Sequence, residues 1–146
     1  MANDFPAMED YNEGSPKKEQ ALRYNSGKRK WSLVDFDSLE GLVEVLEFGA
    51  NKYSTYLTKD GVLISGLDAK KDPKFPEGYI LNSSGENNWK KGLELRSILD
   101  SSQRHLVEMM KDEFVDKESQ LLHAHHVICN MMFWVYFYKK SLHNTQ

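Results

Sequence analysis

The chain has a single cysteine, Cys129, only four prolines among its 146 residues, and no apolar run near the ~20 residues that span a bilayer. One cysteine excludes an internal disulfide framework and fits a reducing compartment. The opening stretch MANDFPAMEDYNEGSPKKEQ lacks the apolar segment of a secretion signal. Nor is there an excess of one charge: 19 Lys and Arg against 22 Asp and Glu leave a formal net charge of −3, which gives no support to a dedicated duplex-DNA binder. The sequence has no internal repeat and no low-complexity tract. These absences lead to the expectation of a soluble cytoplasmic protein with no membrane and no duplex nucleic acid as partner. The length suits one domain with a core of its own.

What the chain does have is concentrated near its C-terminal end. From Leu121 the segment LLHAHHVICNMMFWVYFY is apolar on almost every side, which a helix tolerates only when neighbours cover it. At 100° per residue, Ser119, His123, His126 and Asn130 fall within an arc of about 60°. A narrow polar stripe therefore runs along a helix that otherwise reads as buried. Each buried polar group left without a partner costs about 1–3 kcal/mol, so another polar face, water, a metal ion or a ligand must answer it. The aromatic end, with Phe133, Trp134, Phe137 and Tyr138, is more than one small domain covers easily. It predicts a homo-oligomer.

Upstream, residues 1–21 are acidic and then Gly-Ser-Pro-Lys in character and predict a poorly ordered arm. Residues 22–146 predict one helical domain with an insertion at about 54–87. Asn25-Ser26-Gly27 is turn chemistry followed by Lys28, Arg29 and Lys30, a combination that suits phosphate oxygens and equally a basic surface loop. A helix over 38–53, capped by Asp35 or Asp37, carries one apolar stripe. Glu40, Glu44, Glu47 and Asn51 form a second line beside it, either a solvated acidic face or carboxylates for Mg²⁺ or Mn²⁺. Gly49 inside this helix costs about 1 kcal/mol against alanine and suggests close approach by an element or ligand.

In the insertion, VLISG (62–66) and EGYIL (77–81) read as short strands and predict a β-hairpin or ordered loop. Two more helices are expected over 93–113 and 117–141, with Asp116 and Ser119 as possible caps of the last. Arg104 is expected to point away from the core stripe, which His105 borders, with Asp100 as its i, i+4 partner. Together the periodic segments predict a mainly α fold, three helices packed antiparallel.

The ordered blocks RYNSGKRKWSLVDF, VLEFGANKY, NNWKKGL, SSQRHLVEM and DKESQLLHAHHVICN resemble the phage and bacterial family of dATP/dGTP diphosphohydrolase N-terminal domains. That family is linked to MazG-like all-α nucleoside triphosphate pyrophosphohydrolases, and the likeness covers about residues 22–138 apart from the insertion. It implies a MazG-like antiparallel helical bundle with a small inserted β-hairpin. It also implies a metal-dependent pyrophosphohydrolase that takes purine (deoxy)nucleoside triphosphates, dATP or dGTP in kind, to monophosphate and pyrophosphate. Such enzymes hold divalent metal through an E-x-x-E helix and a later E-x-x-D helix. Glu44-x-x-Glu47 fits the first; His123-x-x-His126 stands where the second belongs.

On that footing Glu44, Glu47, Asp116 and Glu118 are the metal candidates, with Mg²⁺ or Mn²⁺ as cofactor if the protein is catalytic. Glu47, His105 and His126 are the catalytic candidates. The ligand-binding candidates are Arg23, Asn25, Lys28, Lys52, Tyr53, Asn88, Trp89, Arg104, His123 and Asn130. The rebuilt second half and the insertion leave an alternative open: a non-catalytic protein that sequesters a nucleotide or nucleotide-derived signal, as in phage counter-defence. A third possibility is that the stripes only mate helices in an oligomer.

Overall fold

In the computed structural model, which describes residues 21–144, the chain divides between Val34 and Asp35 into two units. The expected N-terminal arm lies, except for its last residue, outside the described residues. In the first unit the Lys28 amide donates to the Asn25 carbonyl at 3.1 Å and Gly27 sits at φ +75°. Only glycine takes that left-handed conformation without a Cβ penalty, so Asn-Ser-Gly makes the turn its composition suggests. A single 3-10 turn, Trp31–Leu33, follows.

The second unit is mainly helical. Its long helices are α1 (Glu40–Lys52), α3 (Leu95–Met110) and α4 (His123–Asn144), and α2 (Gly66–Ala69) is one turn. Neither Asp35 nor Asp37 caps α1 directly. Asp35 instead accepts from the Ser38 hydroxyl, and a 3-10 turn, Asp37–Leu39, winds into the helix. α4 begins at His123 rather than near 117. Asp116 and Ser119 bond each other, and residues 112–122 form a tight loop in place of a first helical turn. In that loop the Asp116 amide donates to the Leu121 carbonyl and the His123 amide to the Phe114 carbonyl, both at 2.8 Å.

α3 and α4 run antiparallel, Ser101 meeting Asn130 while His105 meets His123 and His126. α1 lies against the start of α4 at Gly41, where a Cβ would collide with the His125 ring. The Nε2 of that ring is 3.1 Å from the Ser38 carbonyl, which ties the two helix starts together.

The insertion differs from the expected hairpin. β2 (Leu63–Ser65) and β3 (Tyr79–Ser83) correspond to the two runs read as strands, but they do not pair with each other. Both pair antiparallel with β1 (Thr55–Thr58), giving a three-stranded sheet in the order β2-β1-β3. Tyr56 faces Ile64 on one side and Leu81 on the other. The TYLT strand follows α1 after two residues, so its β-branched and aromatic composition was hidden at a helix end. Phe75 packs edge-on to Tyr56 at 5.2 Å and against Tyr79 at 5.5 Å, closing the segment between β2 and β3 onto the sheet.

Ser54 couples this sheet to α1. Its hydroxyl donates to the Ala50 carbonyl at 2.7 Å and accepts from the Gly85 amide at 2.8 Å, while its carbonyl accepts from the Gly66 amide. The core is thin. The buried apolar residues are Val45, Ala69, Ile98 and Cys129, and no large side chain among the described residues is fully buried. None of the described helices is long and apolar enough to cross a membrane.

Two glycines give opposite forecasts. A Cβ on Gly85 would meet the backbone of Ala50, Tyr53 and Ser54, which cannot swing aside, whereas a Cβ on Gly49 meets nothing within 4 Å. Gly85→Ala should therefore destabilise by about 1–3 kcal/mol through overpacking. Gly49→Ala should stabilise by up to about 1 kcal/mol by removing a helix-interior glycine. Urea midpoints of the two variants against the parent chain check both signs.

Candidate functional site: a histidine–carboxylate cavity

The polar stripe of α4 is answered mostly from α3 and from the loop before α4. His123, buried, has its Nδ1 2.7 Å from Nδ1 of His105 on α3. Further along α4, Asn130 donates from Nδ2 to the Ser101 hydroxyl at 3.2 Å. Between them His126 lies flat on the His105 ring, with centroids 4.6 Å apart and planes 4° from parallel. Its Nε2 is 2.7 Å from the Ser119 hydroxyl and 3.7 Å from Asp116 Oδ2. No buried side-chain polar atom among the described residues lacks a partner.

Ser119 is the junction of this network. Its hydroxyl is 2.9 Å from Asp116 Oδ2, accepts from the Leu121 amide at 3.2 Å and contacts His126 Nε2. A hydroxyl has one proton and two lone pairs. With the Asp116 carboxylate able only to accept, Ser119 donates to it and His126 donates Nε2–H to Ser119. The Ser119 amide adds a second bond to the same Oδ2 at 2.9 Å. Burial raises the Asp116 carboxyl, but the two Ser119 bonds and then His126 and His105 outweigh it and hold the group below the usual carboxylate range. Burial also lowers His105, with His126 and His123 adding to the effect and Asp116 opposing it. His126 is lowered chiefly by burial, which Asp116 only partly offsets. Both rings are thereby held neutral, as proton acceptors or ligands require.

His105, Asp116, His123, His126 and Asn130, though not Ser119, line an open cavity of about 1150 Å³ between α1, α3, α4 and the loops that join them. It gathers Lys52, Tyr53, Asn88, Trp89, Arg104, His105, Asp116, Glu118, His123, His126 and Asn130 from the expected residues. Trp89 is engaged on one face by Phe133 at 4.5 Å and by Tyr136 and Phe137 at its edges. Lys52 reaches across from the end of α1 to Glu118 at 2.5 Å, a bond that raises the Lys52 pKa and occupies the Glu118 carboxylate. Arg104 does not turn away from the site. It and Asp100 both line the cavity, and among the described residues no ion pair joins them.

Two of the expected carboxylates are not brought here. Glu44 and Glu47 are exposed and neither lines the cavity, so they do not face His123 and His126. Val45, Leu46, Phe48, Gly49, Ala50 and Lys52 form the broad face of α1 that does line it. At 100° per residue the acidic line occupies the remaining side of the helix, in solvent. Arg23, Asn25 and Lys28 belong to the other unit, where they are exposed. Ser97, Ser101, Gln103 and Glu108 of α3 and Glu86 before it line the cavity without having been singled out. Their helix reads from sequence only as a core stripe with a polar remainder, and nothing local marks which polar side faces a cavity.

Fold and site together define a helical domain with an open cavity lined by three histidines, by the carboxylates of Glu86, Asp100, Glu108, Asp116 and Glu118, and by the cations Lys52 and Arg104. The sequence matches the family described as dATP/dGTP diphosphohydrolase, N-terminal, over residues 18–145, and the chain belongs to that family. A dATP/dGTP diphosphohydrolase of Salmonella phage PMBT28 is 27% identical over 112 residues, 77% of this chain. The chain spans 28% of that relative's length. No solved structure matches.

The lowered histidines set a pH dependence. As pH falls through the ordinary histidine value of 6.5, the unfolded chain takes up protons before folded His105 and His126 do. Stability is thus fullest above that pH and falls below it, whereas Asp116, held low, withdraws its contribution only in much stronger acid. Melting temperatures of chelator-treated protein should decline below about pH 6.5, with a shallower slope in a His105→Asn/His126→Asn double variant.

Proposed function

We propose that this domain binds purine deoxynucleoside triphosphates and, with a divalent cation, hydrolyses them to the monophosphate and pyrophosphate. The observation that supports the proposal is one cavity lined together by His105, His126, Asp116, Lys52 and Arg104 in a chain of this family. The name of the phage relative supports the substrate class. The three long helices are read as the MazG-like bundle that the resemblance implies.

Each group has a task suited to its chemistry. Arg104 and Lys52 offer cations to the triphosphate, and Arg104, with no ion-pair partner among the described residues, is free to form a two-pronged contact. Asn88 and Asn130 supply amide groups to the ligand, and Tyr53, on the rim, offers a ring face to a base. His126 accepts the proton of the attacking water, a role that needs a neutral ring near the reacting phosphorus. Of the expected metal candidates only Asp116 combines a place in the cavity with a carboxylate not already paired to a lysine. A bound cation supplies neutralisation of phosphate charge in the transition state.

A second function, binding without turnover, draws support from Glu44 and Glu47 lying outside the cavity. One assay separates the two. The four deoxynucleoside triphosphates are incubated with chain and cation, or with chelator, while monophosphate, pyrophosphate and retained nucleotide are followed. Equal yields of monophosphate and pyrophosphate from dATP and dGTP support hydrolysis. Retained triphosphate without product selects binding alone. Arg104→Ala should lower kcat/KM, or affinity in the second case, about 10–100-fold through loss of a charged hydrogen bond of about 1.5–3 kcal/mol.

Self-association is also proposed, on a surface shifted from the one expected. Phe133 and Phe137 already pack on Trp89 of the same chain. Met131, Val135, Tyr138 and Leu142, on one face of α4, are 36–50% exposed. Light scattering should give a mass at least twice the 16.9 kDa of the chain. Val135→Lys should shift it toward that value by placing a charge in the contact. A parent mass of one chain at micromolar concentration would refute the association.

A further inference from the structure

We propose that His105, Asp116 and His123 form a site for a transition metal ion of the zinc, cobalt or manganese kind in preference to magnesium. This specifies the cation of the function proposed above and rests on it for its catalytic meaning, although ion uptake is measurable without nucleotide.

The three side chains come from α3, the loop before α4 and the first residue of α4, yet each turns a ligand atom to one place. Those atoms lie within 4.8 Å of one another on the cavity wall. The two imidazoles meet through like atoms, Nδ1 to Nδ1, at 2.7 Å. A hydrogen bond between them needs only one proton and leaves the second ring as acceptor. That pairing accounts for the two rings but not for a carboxylate beside them. Asp116 is held by Ser119 through Oδ2 alone, and none of the described residues donates to its Oδ1. The carboxylate is thus oriented by neighbours on one oxygen and open on the other, as ligating carboxylates are in built metal sites. His126, stacked on His105 and tied to Ser119, fixes the plane of the His105 ring in the same manner.

The donor set decides which ion. Two imidazole nitrogens and one carboxylate oxygen suit zinc and its neighbours. Magnesium keeps oxygen ligands and water and takes imidazole poorly. Three protein ligands with a fourth position left to solvent is the pattern of a zinc site that meets a substrate. At Zn–N distances of about 2.0–2.1 Å in a tetrahedron the two nitrogens stand about 3.3 Å apart, so the rings must part by about 0.6 Å on loading. The cavity at their side leaves room for it. Glu44 and Glu47 take no part, because α1 turns them to solvent.

The test is equilibrium dialysis of tag-free, chelator-stripped full chain against Co²⁺, Zn²⁺, Mn²⁺ and Mg²⁺, with the visible spectrum of the Co²⁺ form recorded. The expected result is one Co²⁺ or Zn²⁺ per chain, bound at least about 100-fold more tightly than Mg²⁺. Removing a supporting residue of a metal site weakens uptake about 10–100-fold, so Ser119→Ala should fall in that range. His105→Asn and Asp116→Asn should weaken it further, with circular dichroism confirming that the variants remain folded. Without any variant, Zn²⁺ should shift the ring Nδ1 resonances of two histidines in the nuclear magnetic resonance spectrum. Failure to take up a stoichiometric ion, equal affinity for Mg²⁺, uptake untouched by both ligand substitutions, or unmoved Nδ1 resonances would each overturn the site. Turnover without transition-metal uptake sinks this inference alone; uptake without turnover sinks only the hydrolase proposal.

Discussion

A helix that is apolar on most sides yet carries His123, His126 and Asn130 along one line can be buried only where each of those groups finds a partner. That constraint organises the second unit. It requires α3 to present Ser101 and His105 at matching heights, which sets the antiparallel register of α3 on α4. It also requires the chain before α4 to fold back so that Ser119 meets His126. That fold-back brings Asp116 beside the histidines and Glu118 within reach of Lys52.

α1 completes the arrangement and gives Val45 to the buried core. Its polar and steric ties to the region of α4 are the His125 ring over Gly41, the Ser38 carbonyl just before the helix at His125 Nε2, and the Lys52–Glu118 pair at the far end. An exposed ion pair contributes at most about 1 kcal/mol, so α1 is held as much by close backbone approach as by charge. Ser54 passes the position of α1 on to the sheet through Gly66 and Gly85. Gly85 and Glu86, just after β3, belong to the lining of the cavity.

The thin core and the electrostatics of the site are linked. With few side chains fully buried, the histidines are only partly shielded, enough to lower His105 and His126 without isolating them from a ligand. Cys129 sits deeper, and burial pushes its thiol up to about 12, leaving it an inert neighbour rather than a nucleophile. The two histidine rings and the Asp116 carboxylate share one cavity with Lys52 and Arg104, and hydrogen bonds from Ser119, then His126 and His105, favour the Asp116 charge against its burial.

Periodicity alone determined the three long helices, the polar stripe on the last of them and the need for something to answer it. Those are properties of successive residues, and a helix converts spacing into direction. The Asn-Ser-Gly turn and two of the three strands were legible for the same local reason. What only the tertiary structure decided was which polar line faces inward. Glu44-x-x-Glu47 and His123-x-x-His126 have equivalent spacing, but α1 is rotated so that Val45, Gly49 and Lys52 line the cavity and the glutamates meet water. The central strand Thr55–Thr58 and the loop that delays α4 to His123 likewise depend on partners distant in sequence. Spacing along a chain specifies the face a residue shares, whereas the packing of other elements specifies where that face points.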